Sequence, residues 1–306
     1  MENSVNVNQK TFFGHPMGLF ILFFTELWER FSYYGMRAIL VLYLVSETSG
    51  DNPGMGWSDS SALALYGWYT MFVYLATIPG GILADRYLGQ RKSVMLGGLL
   101  LCFGHGILAL EALWAFYTGL VFIVLGVGCL KGNISTMVGG LYGKDDHNKR
   151  DMGFYIFYMG INIGAAVSAL LVGYIGEVYN WHYGFGLAGI GMAIGQIGYW
   201  KGQKYLTHVG NLIKLEPNKE DKSDNLFLQI FKKTNSLVGF SVTALIGLFI
   251  GYSGSWDYGL LFIGIAFAVG FAIVVYNDGN KIEKDRILVT YLAFLIVIVF
   301  WGAFEQ

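Results

Sequence analysis

Charge is what this chain has least of. Only 13% of its 306 residues are Asp, Glu, Lys or Arg, against roughly 25% in a soluble domain. Hydrophobic residues make up 55%, so a polytopic membrane protein is expected before any motif is read. The net charge of −1 offers no global field for nucleic acid. The two cysteines, Cys102 and Cys129, both fall inside apolar runs and read as buried thiols, which excludes a disulfide framework or a metal pair. No nucleotide loop, metal cluster or nucleophile–base arrangement stands out, and this argues against an enzyme. No cleavable signal peptide is expected either, because the first apolar run is too long and too charged and lacks a small-residue cleavage site. Glycine, at 43 residues, is plentiful and suits close packing of membrane helices.

The apolar runs divide the chain. A polar, disordered tail is expected over 1–14 and six spans over 15–204, at about 15–45, 60–83, 93–113, 114–139, 152–178 and 182–201. A charged linker is expected over 205–235, two further spans within 236–276, and a ninth over 287–306. Three of the 20 Lys and Arg residues, Arg30, Arg37 and Lys131, lie within spans. The other 17 fall in the tail, the even-numbered loops, the linker or the loop before the ninth span. By the positive-inside rule those segments, the N-terminus included, are cytoplasmic. The last span stops at Glu305-Gln306 with no polar flank, so the chain reads as the first part of a longer protein.

One run breaks the apolar rule. The first span is long enough to cross a bilayer, yet it carries Glu26, Glu29, Arg30 and Arg37 near its centre. Each such charge costs about 2.5–3.5 kcal/mol on insertion scales unless it is paired or faces water. At 100° per residue these four, with Tyr33 and Tyr34, fall within an arc of about 140°. Trp28, Phe31, Ile39 and Leu42 are left to meet lipid or other helices. The ionic set is either a structural cluster that fixes packing or a functional site. For intramembrane charge the functional reading is the default. Lys131 lies mid-span in the fourth run, too deep for easy snorkelling, and is expected to pair with a first-span glutamate or an anionic ligand group. His105, alone among the five histidines in being mid-span, reads as a packed residue.

Glu26-x-x-Glu29-Arg30-Phe31-x-Tyr33-Tyr34-Gly35 resembles the E-x-x-E-R-F-x-Y-Y-G signature of the proton-dependent oligopeptide transporter family, a branch of the major facilitator superfamily. Gly80-Gly81-Ile82-Leu83-Ala84-Asp85-Arg86-x-x-Gly89-x-Arg91-Lys92 resembles the superfamily's cytoplasmic loop motif. Phe157-Tyr158-Met-Gly-Ile-Asn162-Ile-Gly164 resembles the family's second signature. The resemblance implies an all-α major facilitator fold, with the N-terminal six-helix bundle, two inserted helices and helix 7 of the bacterial fourteen-helix type. It implies proton coupling through Glu26, Glu29, Arg30, Lys131 and Glu305. It implies substrate contact by Arg30, Tyr33, Tyr34, Arg37, Tyr74, Lys131, Asn162 and Glu305, and a cytoplasmic gate of Asp85, Arg86, Arg91 and Lys92. Taken alone, Asn162 could equally bridge helices, Tyr74 could be packing, and Glu305 could be an interfacial acid. Two departures stand out. Gly132 replaces the proline that usually follows the family's lysine, and Gly67 stands where animal members carry a histidine.

By that resemblance the function is proton-coupled symport of di- and tripeptides by alternating access, in a multi-pass protein of the bacterial inner membrane. Protons are then the coupling ion and no further cofactor is expected. The partners are di- and tripeptides and the lipid bilayer, with no nucleic acid, and the protein is expected to be a monomer. The alternatives are a carrier of nitrate or drug-like anions on the same fold, and a peptide-binding receptor that does not transport.

Overall fold

The structure, a computed structural model, describes residues 10–143 and 145–212, together with the helical positions 246, 284, 285, 288, 289, 292, 293 and 296. Met1–Lys214 forms one compact unit and Leu215–Gln306 a second. Most of the expected inserted spans, linker and ninth span lies outside the described residues.

The chain enters through a short hairpin, β1 (Thr11–Phe12) against β2 (His15–Pro16). Phe13 and Gly14 both have positive φ, the pattern of a two-residue turn whose twist matches the strands. Part of the tail read as disordered is therefore ordered. His15 also joins it to the bundle, its Nδ1 lying 2.8 Å from the Tyr142 hydroxyl. Burial pushes the Tyr142 phenol up to about 12, so it meets His15 as a neutral group.

Helices follow: α1 (Met17–Val45), α2 (Asp59–Leu75), α3 (Thr77–Leu83), α4 (Gln90–Leu108), α5 (Leu113–Gly140), α6 (His147–Val178) and α7 (Trp181–Gly202). The second expected span is interrupted at Ala76. Pro79 explains the break, because its missing N–H leaves the Leu75 carbonyl without the donor a continuous helix would supply. A π-helical turn, Ala84–Leu88, carries the chain from α3 to the left-handed Gly89. Asp59–Leu88, Leu113–Gly140 and His147–Val178 are long and apolar enough to cross a membrane.

The helix α1 sits against both α6 and α7, α4 against α5 and α7, and α3 against α5. Between helices in lipid the hydrophobic effect is weak, and close van der Waals approach replaces it. A Cβ on Gly80 would collide with the backbone carbonyl of Gly128, so α3 and α5 meet backbone to backbone. Large apolar side chains such as Leu170, Tyr155 and Leu113 are exposed.

The α1–α2 loop is pinned by Asn52. Its side-chain amide donates to the carbonyls of Gly176 (2.8 Å) and Glu177 (3.2 Å), and its Oδ1 accepts from the Trp181 amide at 3.2 Å. Those carbonyls end α6 and that amide begins α7, so one side chain serves orphan groups of two helix ends. Asn52→Ala is expected to lower stability by about 1–3 kcal/mol, the cost of leaving such groups unmade. Thermal unfolding in detergent reads it, and an unchanged midpoint would show the loop to be a passive connection.

Candidate functional site

The ionic set of α1 is assembled within one helix. Arg30 Nε donates to Glu26 Oε1 at 2.8 Å, one turn back, and lies 2.5 Å from Glu29 Oε2. All three residues are buried, Glu29 completely. One guanidinium thus bridges two carboxylates. Among the described residues, no group hydrogen-bonds Glu26 Oε2, Glu29 Oε1 or Arg30 Nη2. The guanidinium also lies 5.6 Å from the centre of the Tyr33 ring and 6.0 Å from that of Tyr34, within cation–π range.

Arg37, two turns on, has a different partner. Its Nε donates to the Tyr66 hydroxyl at 2.7 Å, its Nη2 donates to the same oxygen, and its guanidinium lies over the Tyr66 ring. Among the described residues no carboxylate pairs with it. Tyr66 is a contact that the sequence reading missed. The available signal was the run of tyrosines at 66, 69 and 74 on one span, which places phenols at the depth of the α1 charges. Tyr69 is buried there too, and among the described residues its hydroxyl meets no hydrogen-bonding group.

Lys131 lies on α5, with its Nζ 4.3 Å from the centre of the Tyr74 ring. The expected pairing with a first-span glutamate is not made. The cation that meets both acids is Arg30, from within α1. Tyr74 is brought to Lys131 with much of its ring exposed. Among the described residues, Asn162 makes no bridge between helices. Its side chain donates to the Tyr158 carbonyl of its own helix at 3.1 Å, and the residue is exposed. A Cβ on Gly67 or on Gly132 would meet nothing, so both departures from the family pattern lie in open space. His105 is fully buried, as expected for a packed residue.

The gate candidates lie together at the far end of α3 and the start of α4. Asp85 and Arg86 are exposed in the π-helical turn, Lys92 is exposed, and Arg91 is half-buried. Glu305 lies outside the described residues. Among the described residues, no group of three or more His, Cys, Asp and Glu side chains could hold a metal ion.

The geometry can be set beside known proteins. A family model described as the POT family matches residues 91–306. A di-/tripeptide transporter of Lactococcus lactis subsp. cremoris is 42% identical over 320 residues, covering 100% of this chain and 62% of that protein. The chain therefore spans about three-fifths of the length of its curated relatives. Among solved structures, a peptide transporter POT in complex with sulfate superposes with a TM-score of 0.73 at 37% identity, covering 97% of this chain and 60% of that one. A POT family transporter in complex with 5-aminolevulinic acid superposes with a TM-score of 0.76 at 34% identity, covering 96% and 60%. The all-α arrangement is the major facilitator fold, and the chain belongs to the POT family.

Proposed function

We propose that this chain supplies the N-terminal bundle of a proton-coupled symporter of di- and tripeptides, working by alternating access. The observation that carries the reading is the buried Glu26–Arg30–Glu29 bridge. A carboxyl whose charge depends on whether its Arg partner is at hand is a proton switch. A proton arriving on Glu29 releases Arg30, and a peptide carboxylate competes for the freed guanidinium. Lys131 and Arg37, which lack carboxylate partners among the described residues, offer further positive charge to the same carboxylate. The names of the Lactococcus and Yersinia relatives, both peptide transporters, support the substrate class.

The rest of the reading follows the charge pattern. The chain belongs to a multi-pass protein of the bacterial inner membrane, with its N-terminus in the cytoplasm. The loop of Asp85, Arg86, Arg91 and Lys92 forms the inner gate. The protein acts as a monomeric carrier and not as an enzyme, with protons in the place of a cofactor.

The test is uptake of labelled dialanine by the complete protein in sealed liposomes under an inward proton gradient. Lys131→Gln is expected to raise the half-saturating peptide concentration about tenfold or more, since a charge-assisted bond contributes roughly 1.5–3 kcal/mol. A peptide whose carboxyl is amidated should lose the difference between the two proteins. Peptide binding without gradient-driven uptake would turn the reading into that of a receptor. Uptake of nitrate in place of peptide would withdraw the substrate class.

A further inference from the structure

The ten residues after α7 do not behave as a linker. A 3-10 turn, Gln203–Tyr205, leads into a strap that folds back across the end of the bundle. Leu206 and Val209 are buried. Leu206 sits over Gly18 at the start of α1, where a Cβ would come within 3.0 Å of its Cδ2. Val209 sits over Gly140 at the end of α5, 3.6 Å from where a Cβ would stand.

The strap's backbone ends on the gate loop. α4 begins without a side-chain cap, because its capping position is Gly89. The first amides of a helix need acceptors from elsewhere, and Arg91 and Lys92 place two cations against the positive end of the helix dipole. One such acceptor comes from the strap. The Arg91 amide donates to the Gly210 carbonyl at 2.8 Å, and Arg91 Nη1 reaches the Leu206 carbonyl at 3.4 Å. From α7, the Tyr199 hydroxyl donates to the Arg91 carbonyl at 2.8 Å. Gly210 has φ +68°, and a Cβ there would lie 2.9 Å from the Arg91 nitrogen, so only glycine lets the strap come this near.

We infer that residues 203–212 are a clasp that positions Arg91, with Tyr199, Leu206 and Gly210 as positioning residues, and that the gate works at its full rate only while the clasp is docked. The docking stands on geometry alone. Its part in gating rests on the reading of the loop as the cytoplasmic gate.

Two measurements separate these parts. Amide exchange over residues 90–93 is expected to quicken about tenfold in Gly210→Ala and in Leu206→Asp, the effect of losing one net hydrogen bond. It should hold at its original rate in Leu206→Ile, while the centres of α5 and α6 are unchanged in all three. In liposomes, Gly210→Ala and Tyr199→Phe are expected to lower the maximal uptake rate several-fold and leave the half-saturating peptide concentration unmoved, a split that general damage to the bundle would not give. Unchanged exchange in both disrupting variants overturns the clasp. Faster exchange with an undiminished maximal rate overturns its part in gating. If the unsubstituted protein takes up no peptide, the transporter reading fails, and the clasp stands or falls on the exchange data.

Discussion

Glu29→Gln is expected to abolish proton-driven accumulation of peptide while leaving a folded protein that still exchanges peptide across the membrane. Glutamine keeps the shape and both polar ends of the side chain, so the buried site is not emptied. Arg30 keeps its 2.8 Å bond to Glu26 Oε1 and is not left as an uncompensated cation. What is lost is the ability of position 29 to alternate between charged and neutral. A gradient of one pH unit is worth about 1.4 kcal/mol per proton, or tenfold in concentration. The unsubstituted protein should therefore concentrate dialanine about tenfold per proton carried for each unit of gradient, and the variant should only equalise it. Counterflow of labelled against unlabelled peptide, with no gradient, should continue in both. Accumulation by Glu29→Gln at the original level would move the coupling proton to another group, and Glu26→Gln would be the next variant. Loss of counterflow as well would mean that the substitution blocks the cycle itself and would leave the switch without support.

The α1 site could be read from the chain because its signal is local. Charges at 26, 29, 30 and 37 inside an apolar run share one helical face whatever surrounds them, and Arg30 finds Glu26 a single turn away. Helix ends were less legible, since hydropathy marks the hydrocarbon layer and a helix continues beyond it. Thus α6 starts at His147 and takes in Lys149, Arg150 and Asp151, which an apolar window leaves outside. The break at Ala76 had a signal in Pro79 that a purely apolar reading passes over. Contacts between helices depend on register and rotation that no spacing along one segment encodes. The ring of Tyr74 under Lys131 and the phenol of Tyr66 on Arg37 belong to that kind. The clasp was hidden by composition. Leu206 and Val209 stand three apart in a largely polar stretch, with Leu212 three further on, and that spacing was the one hint of a shared face. The burial of Leu206 and Val209 depends on recesses formed at Gly18 and Gly140, far away in the chain.

Arg30→Met is expected to be the most destabilising single change in the bundle. The side chain of methionine is about as long and is apolar, so the loss is of charge more than of volume. Glu26 and Glu29 would then be two buried carboxylates with no cation between them. Removing one partner of a buried ion pair costs about 3–5 kcal/mol, and here a single substitution strips two acids at once. A large fall in thermal midpoint, or failure to accumulate in the membrane, is the expected result. The double change Arg30→Met with Glu29→Gln should recover part of the loss, because one of the stranded charges is gone, and adding Glu26→Gln should recover more. Changes at residues in one ionic network are non-additive in this way. Lys131→Met is the control. That lysine rests on an aromatic ring and has no carboxylate partner among the described residues, so its removal strands no anion there and should lower stability far less. If Arg30→Met and Lys131→Met proved equally mild, the bridge on α1 would not be a closed ionic unit in the membrane, and water reaching Glu26 and Glu29 would have to replace Arg30 as the group that balances them.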